Sequence, residues 1–329
     1  MNKRLCHIAL LLSVLLAGAC NKVTDTSGEG ENKSGGLVNP YQAGEKLEIT
    51  VATYNVLKPS GRREEMSLDN STVRKALASA IAATKADIIG FNELDGNYAA
   101  GGKYSLKTYY NPLPDFDWRL EWPNKISAIY STSYSYANGF AYDKTKFRLE
   151  KCSYVWLSKS SNDWFESPSS AYGKAGSPER TCIKALFTHL GSGKQFWLFV
   201  THLPTKDQGG AENMAAVVNR FASSNAGDLP SILTGDMNNG PGTEAYRVLT
   251  SYWKDGNTAS WGTLSGSSAN YKYYSIEEFT TERPDRRIDH IMAKGCIPSN
   301  YRLITTTYTL DGIQWCPSDH LPVAATISF

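Results

Sequence analysis

Six strand-like stretches of this 329-residue chain end on a carboxylate, an amide or an imidazole. Tyr54 leads into Asn55, Phe91-Asn92 into Glu93, and Val200-Thr201 into His202. Leu233-Thr234-Gly235 leads into Asp236, with Asn238 two positions on. Arg287-Ile288 leads into Asp289-His290, and Pro317-Ser318 into Asp319-His320. A lone acid at a strand end is usually a turn former. Six polar endings after buried runs need another account, because burying a charge without a partner is costly. Acids that converge from separate strands relieve that cost by binding a cation. The donors are oxygen and imidazole with no thiolate, which suits a hard ion: Mg²⁺, with Mn²⁺ or Ca²⁺ as alternatives.

These residues need strands to carry them. Residues 47–56 and 87–94 read as buried strands, with further strand signals at 137–142, 148–157, 181–188 and 195–202. Gly191-Ser192-Gly193 joins the last two as a hairpin. Val73, Leu77 and Ile81 predict a helix over 71–84, capped by Asn70 or Ser71. Met214, Val217, Val218 and Phe221 predict a second over 211–224, and 244–252 reads as a short third. Residues 231–238 form a strand, which would place Asp236 and Asn238 on one side if it runs to its end. Strands at 286–293, 301–309 and 322–328 close the chain. The mixture predicts two packed sheets with helices outside. Two stretches lack periodicity, 159–179 and 254–275, the second carrying Trp261, Tyr271, Tyr273 and Tyr274. Long loops on a rigid scaffold are where substrate choice resides.

The ordered set TYNV, NE, THL, GDMN, RRIDH and SDHLPV resembles the endonuclease/exonuclease/phosphatase superfamily, the deoxyribonuclease I-like group, from about residue 48 to the C-terminus. The resemblance implies a four-layered α/β sandwich of two facing, mostly antiparallel sheets flanked by helices. It implies a divalent-metal-dependent phosphoester hydrolase, a phosphatase or phosphodiesterase. Glu93 would be the main metal ligand, with Asn55 and Asp319 near the ion. Asp236 would orient or deprotonate the attacking water, or serve as a ligand in a two-metal scheme. Asn238 would hold the phosphate or the water, and His320, oriented by Asp289, would contact the phosphoryl group. His202 would bind phosphate or assist the leaving oxygen. Three positions depart from the family pattern: Asn92 replaces the usual Gln, Met237 the usual Phe, and Asn213-Met214 occupy the region of an Arg common in phosphatase-type relatives, with Arg220 further on. His189 belongs to a second THL string at the opposite sheet edge and reads as structural. His290 faces away from Asp289 and reads as packing or hydrogen bonding. Arg180 reads as one half of a surface ion pair.

The N-terminus carries Lys3 and Arg4, then an apolar run from Ile8 to Leu16 too short to span a bilayer, ending at Cys20. It reads as a signal peptide over 1–19, a lipid-attachment Cys20 with a polar tether over 20–45, and a catalytic domain over 46–329. The protein is then exported and held at the cell envelope by a lipid, and is expected to be a monomer. Removing residues 1–19 takes away Lys3 and Arg4 and no acid, leaving 32 basic against 32 acidic residues and no net charge. A nucleic-acid binder usually shows a basic excess, so a sugar, inositol, nucleotide or lipid-headgroup phosphate is favoured over DNA or RNA. An exported nuclease and a non-catalytic ligand-binding lipoprotein remain the alternatives. Sequence order suggests disulfides Cys152–Cys182 and Cys296–Cys316, against four free buried thiols.

Overall fold

A computed structural model describes residues 46–94, 116–121, 138–166, 180–256 and 287–329. Residues 1–45, including the proposed signal, Cys20 and tether, lie outside the described residues, as do Trp261, Tyr271, Tyr273, Tyr274 and most of both predicted loops.

In chain order the described elements are β1 (Glu48–Asn55), α1 (Ser71–Ala83), β2 (Ile88–Asn92), β3 (Phe116–Glu121), β4 (Asn138–Asp143), β5 (Phe147–Leu157), β6 (Trp164–Phe165), β7 (Thr181–His189) and β8 (Gln195–His202). Then come α2 (Ala211–Ala226), β9 (Ser231–Asp236), α3 (Glu244–Thr250), β10 (Lys254–Asp255), β11 (Asp289–Lys294), β12 (Ile297–Leu303), β13 (Tyr308–Leu310), β14 (Ile313–Trp315) and β15 (Val323–Ser328). One sheet runs β12-β15-β1-β2-β4-β3, the other β10-β11-β9-β8-β7-β5-β6. Only β1·β2 and β8·β9 pair in parallel; every other neighbour in the two sheets is antiparallel.

Side chains alternate across a strand, and here that alternation builds three apolar layers. Ile49 and Val51 of β1 meet Phe187, Leu198, Val200, Ile232 and Ile291 between the sheets. Ala52 and Tyr54, on the other face of β1, pack with Val73, Leu77 and Ile81 of α1. Phe199 and Leu233 cover the outer face of the second sheet with Met214, Val218 and Phe221 of α2. The result is the expected four-layered sandwich. Each fully buried aliphatic or aromatic side chain contributes about 1.5–3 kcal/mol relative to exposure.

Helix α1 is capped by Asn70, whose side chain accepts from the Thr72 amide at 2.9 Å, as the sequence reading allowed. Other boundaries moved for local reasons. The predicted strand 301–309 is two elements: β12 ends at Leu303, and β13 turns back into β14 through Asp311-Gly312. Both turn residues have positive φ, 53° and 76°, the geometry that an Asp-Gly hairpin provides. The strand predicted over 87–94 stops at Asn92, because Glu93 has φ of 58°. The strand predicted over 231–238 stops at Asp236, and Asn238 has φ of 49°.

Among the described residues neither suggested disulfide, Cys152–Cys182 or Cys296–Cys316, is formed. Cys152 is registered against Ala185 and Cys182 against Val155, so the two cysteines are offset by three ladder positions, about 10 Å of strand and beyond disulfide reach. Cys296 joins the layer between the sheets while Cys316 lies in the α1 layer. Among the described residues no helix is long and apolar enough to cross a membrane.

Two glycines set how closely the elements approach near the polar end of the sandwich. A Cβ at Gly90 would lie 2.4 Å from Thr234 Oγ1 on the facing sheet. At Gly235 it would lie 1.8 Å from the Thr201 carbonyl oxygen, and the backbone there has φ of 150°. Gly235→Ala is therefore expected to displace β9 and cost about 3 kcal/mol or more. Urea denaturation checks this, and an unchanged midpoint would contradict it.

Candidate functional site

The inward-facing residues of the sandwich change character along the strands. In β1 they run Ile49, Val51, Thr53, Asn55; in β9, Ile232, Thr234, Asp236; in β8, Leu198, Val200, His202. In β11 the order reverses, with Asp289 first and then Ile291 and Ala293. Because β11 pairs antiparallel with β9, its first residue faces the last of β9: Asp289 is registered with Asp236, which is also registered with His202 of β8. One end of the apolar layer is thus a polar rim, built from strand ends of both sheets.

The rim is continuous. Asn55 Nδ2 donates to Glu93 Oε1 at 3.3 Å and to Asp236 Oδ2 at 3.0 Å. Asp236 Oδ2 lies 3.6 Å from His320 Nε2, and His320 Nδ1 lies 2.7 Å from Asp289 Oδ2. His202 Nε2 is 3.2 Å from Asp236 Oδ2 and 2.9 Å from Asn238 Nδ2. Asn238 Nδ2 also donates to the Leu203 carbonyl at 2.8 Å. Asp319 is buried beside His320. Glu93, Asp236, Asp289 and His320, drawn from four separate segments, therefore meet in one place.

Local backbone supports this geometry. Leu57, Glu93 and Asn238, all non-glycine, have positive φ of 52°, 58° and 49°, a conformation that costs energy and concentrates at functional sites. The Glu93 carboxylate is held by the Lys58 amide, which donates to Oε2 at 3.2 Å. Asn55 Oδ1 accepts from the Leu57 amide at 3.0 Å, so Asn55 presents its NH₂, not its oxygen, to the two carboxylates. Asp236 Oδ1 accepts from the Asn238 amide at 2.8 Å, which explains how Asn238 returns to the site although the strand has ended.

The charges are unevenly distributed. Burial alone would depress His320, but Asp289, Asp236 and Asp319 outweigh it and hold its pKa well above the ordinary imidazole value. Burial and then the nearby Arg180 charge push His202 down, against the pull of Asp236. A neutral His202 that accepts from Asn238 fits this direction better than an imidazolium paired with Asp236. Burial would raise Asp236, yet the charge of His320 and the hydrogen bond from Asn55 keep it below the usual carboxylate range. Asp319 goes the other way: burial raises it to about 6, reinforced by Glu93 and Asp236 and opposed by His320 and Arg62.

Four acids, Glu93, Asp236, Asp289 and Asp319, thus share one rim with one protonated imidazole. Burial first, and then that crowding, show in the raised pKa of Asp319. A divalent cation would relieve it, and the oxygen donors suit a hard ion. Ligand atoms of Asp236, Asp289 and His320 also fall within 4.8 Å of one another. In this structure, however, His320 Nδ1 is committed to Asp289, so the Glu93 and Asp319 side of the rim fits a cation better.

Comparison with known proteins identifies the family. The model of the endonuclease/exonuclease/phosphatase family matches residues 52–320, nearly the whole described domain. The chain belongs to the endonuclease/exonuclease/phosphatase family. Solved structures with the same fold include an endonuclease/exonuclease/phosphatase family protein from Bacteroides thetaiotaomicron (22% identity, TM-score 0.67, covering 87% of this chain and 99% of the other). A mannosyl-6-phosphatase from the same organism follows (21%, TM-score 0.66, 85% and 100%). So does the D. rerio TDP2 protein complexed with a single-strand DNA product (17%, TM-score 0.56, 85% and 98%). No curated protein matches the chain. Members of this superfamily are phosphoester hydrolases, with a mannosyl-6-phosphatase among the structural neighbours.

Within this family member the two other described histidines stand apart. His189 Nδ1 lies 2.9 Å from Ser192 Oγ in the β7–β8 turn, at the end of β7 away from the rim. His290 Nδ1 lies 3.1 Å from Asp255 Oδ2 and its ring packs on Tyr246. Arg180 is not on the surface: it is 2% exposed, and its Nη2 donates to Gln208 Oε1 at 2.9 Å. The strand register carries it under the loop that follows His202, which sequence spacing could not reveal. Arg220 does occupy the surface, 3.5 Å from Asp163. Asn213 ties α2 to the Ser158 and Ser161 carbonyls.

Sequence reading missed three contributors. Ser318 donates to the Asn55 carbonyl at 2.8 Å and accepts from the His320 amide at 3.2 Å. Arg62 clamps the turn after β1 to the Asp319 loop, donating to the carbonyls of Val56 (2.6 Å), Leu57 (3.2 Å) and Pro317 (2.8 Å). Asn138 opens β4 at the rim. Ser318 sits inside a quoted motif and Asn138 immediately before an apolar run, so both were visible as positions; Arg62 gave no signal.

Asp319 yields a stability prediction. Its folded pKa is raised, so its ionisation penalises the metal-free fold; the penalty is absent below pH of about 4 and complete above about 6. In a chelating buffer at pH 8, Asp319→Asn is expected to be more stable than the unmodified protein by about 1–3 kcal/mol. At pH 4 the advantage should vanish. Denaturant titration at both values checks this; a less stable variant at pH 8 would contradict it.

Proposed function

We propose that the chain is an exported, lipid-anchored, divalent-metal-dependent phosphoester hydrolase in which water attacks phosphorus in line. The observation that carries the reading is the unbroken line of groups from Glu93 through Asn55, Asp236 and His320 to Asp289.

A divalent cation, Mg²⁺ with Mn²⁺ or Ca²⁺ as alternatives, would sit against Glu93 and Asp319 and offset charge on the phosphoryl oxygens. The remaining chemistry belongs to the side chains. Asp236, ionised and held by Asn55 and the Asn238 amide, is placed to orient the attacking water and accept its proton. His320, kept protonated by Asp289, donates from Nε2 toward the phosphoryl group and stabilises its developing charge. Asp289 fixes the ring through Nδ1. His202, neutral and aligned by Asn238, lies beside Asp236, where a substrate oxygen would be approached by an uncharged ring. Attack forms one P–O bond, breaks the ester P–O bond and leaves phosphate or a phosphomonoester plus the alcohol.

The substrate is proposed to be an extracytoplasmic phosphoester such as a sugar phosphate. Two facts support that class over nucleic acid. The chain lacks a basic excess once residues 1–19 are set aside, and a mannosyl-6-phosphatase is among the proteins of like fold. The signal-like N-terminus ending at Cys20 supports export and anchoring.

Purified protein with Mg²⁺ is expected to hydrolyse p-nitrophenyl phosphate or bis-p-nitrophenyl phosphate, and to lose that activity in EDTA. Glu93→Ala and His320→Ala should each lower kcat by about 10²–10⁴-fold. Sugar phosphates should be turned over in preference to single-stranded DNA. A preference for DNA with steep salt dependence would favour a nuclease, and inactivity across the panel a binding protein. In cells, Cys20→Ser should move the protein from the detergent phase to the aqueous phase; no change would remove the anchor from the proposal.

A further inference from the structure

Two buried amides connect the sheets directly beneath the rim, and one of them lies outside every sequence motif. Asn138, the first residue of β4, is registered with Asn92, the last of β2. Asn92 Nδ2 donates to Asn138 Oδ1 at 2.7 Å and, across the sandwich, to the Thr201 carbonyl at 3.0 Å. Asn138 Nδ2 crosses at the same level to the Thr181 carbonyl (3.0 Å) and hydroxyl (2.9 Å). Thr201 Oγ1 closes the ring by donating to the Thr181 carbonyl at 2.9 Å. All four residues are buried, Asn92, Asn138 and Thr201 with no exposed surface at all. A closed ring of satisfied polar groups at this depth is rigid, because any member that moves leaves another unpaired.

The ring is joined to the site at two points. Asn92 Oδ1 accepts from the Asp236 amide at 2.8 Å. Asn92 also immediately precedes Glu93, and its carbonyl accepts from the Val56 amide at 3.1 Å. One half of the site, Glu93 and Asn55, rides on the first sheet; the other half, Asp236 and His202, rides on the second. Asn92 itself reaches the second sheet at the Thr201 carbonyl and the Asp236 amide. Asn138 holds the Asn92 side chain in that pose and adds a second crossing at Thr181.

We propose that Asn138 is a positioning residue: paired with Asn92, it sets the separation between the Glu93 half and the Asp236 half of the site. The inference rests on the hydrolase reading above for its kinetic consequence, but its structural content concerns the cation-binding geometry alone.

The test uses Asn138→Ala, Asn92→Gln and the double variant, with Thr181→Val as a milder break that keeps side-chain shape. Two quantities are read beside melting temperature: kcat and KM for p-nitrophenyl phosphate, and Mn²⁺ affinity by electron paramagnetic resonance. Loss of a residue that orients ligands typically costs 10–100-fold in affinity or activity. Folded Asn138→Ala is expected to lose about 10–100-fold in kcat with KM within threefold of the unmodified value, and to bind Mn²⁺ about tenfold more weakly. In the double variant the longer amide at 92 enters the space vacated at 138, and kcat should recover at least tenfold over Asn138→Ala. If Asn138→Ala does not fold, Thr181→Val should still lower kcat and Mn²⁺ affinity about threefold or more at an unchanged melting temperature. Normal kcat and Mn²⁺ affinity in a folded single variant, or a double variant no better than Asn138→Ala, would overturn the proposal. If the unmodified protein binds Mn²⁺ without hydrolysing any ester, the hydrolase reading fails, and the Mn²⁺ comparison alone decides the role of Asn138.

Discussion

Crowding of four carboxylates, three of them buried and Glu93 half-buried, is the constraint on which this molecule turns. Glu93, Asp236, Asp289 and Asp319 share a rim where solvent screening is weak. The protein offsets part of their charge from within, through the His320 imidazolium, the Arg62 guanidinium and amide donors from Asn55, Lys58 and Asn238. The compensation is uneven. It favours the ionised form at Asp236 and leaves Asp319 with its proton held to about pH 6. A fold that keeps such an imbalance sacrifices stability, and the sacrifice is intelligible if a cation completes the site.

The sandwich is the device that makes the crowding feasible. A period of two lets one strand place apolar groups between the sheets for most of its length and a reacting group at its end. Two antiparallel neighbours then bring a first residue and a last residue side by side, as Asp289 and Asp236 are. Thr53, Thr234 and Gly90 grade the change from apolar to polar. The glycine lets the sheets close to contact where the chemistry begins. Precision at the rim is therefore inherited from the packing of the core, and the amide ring below it carries that precision from one sheet to the other.

Much of this was legible in the sequence. Strand-end acids, amides and imidazoles were visible because each followed an apolar run, and their order pointed to the family. Alternation of hydrophobic residues was enough to place Asn55, His202 and Asp236 on strands and to set His189 and His290 aside. What stayed hidden was register and reach. The offset between Cys152 and Cys182 is set by the register of β5 against β7, which a bulge between Leu149 and Lys151 shifts by one position and no spacing rule anticipates. Arg180 read as a surface residue because its burial depends on a loop folded over it through Gln208. The start of the hairpin at Tyr308 was absorbed into the strand predicted over 301–309, and the Asp311-Gly312 turn pair just beyond it was left unread. Arg62 acts on carbonyl groups, and a side chain that binds backbone leaves no complementary residue to find.

The proposed divalent cation belongs on the Glu93 side of the rim. Crystals of the protein soaked in Mn²⁺, with data collected at a wavelength that reveals manganese, test it most directly. The account predicts an anomalous peak at about 2.2 Å from a Glu93 carboxylate oxygen, with Asp319 turned toward it. A peak bound only by surface acids, or none at the rim with Glu93 facing away, would contradict it.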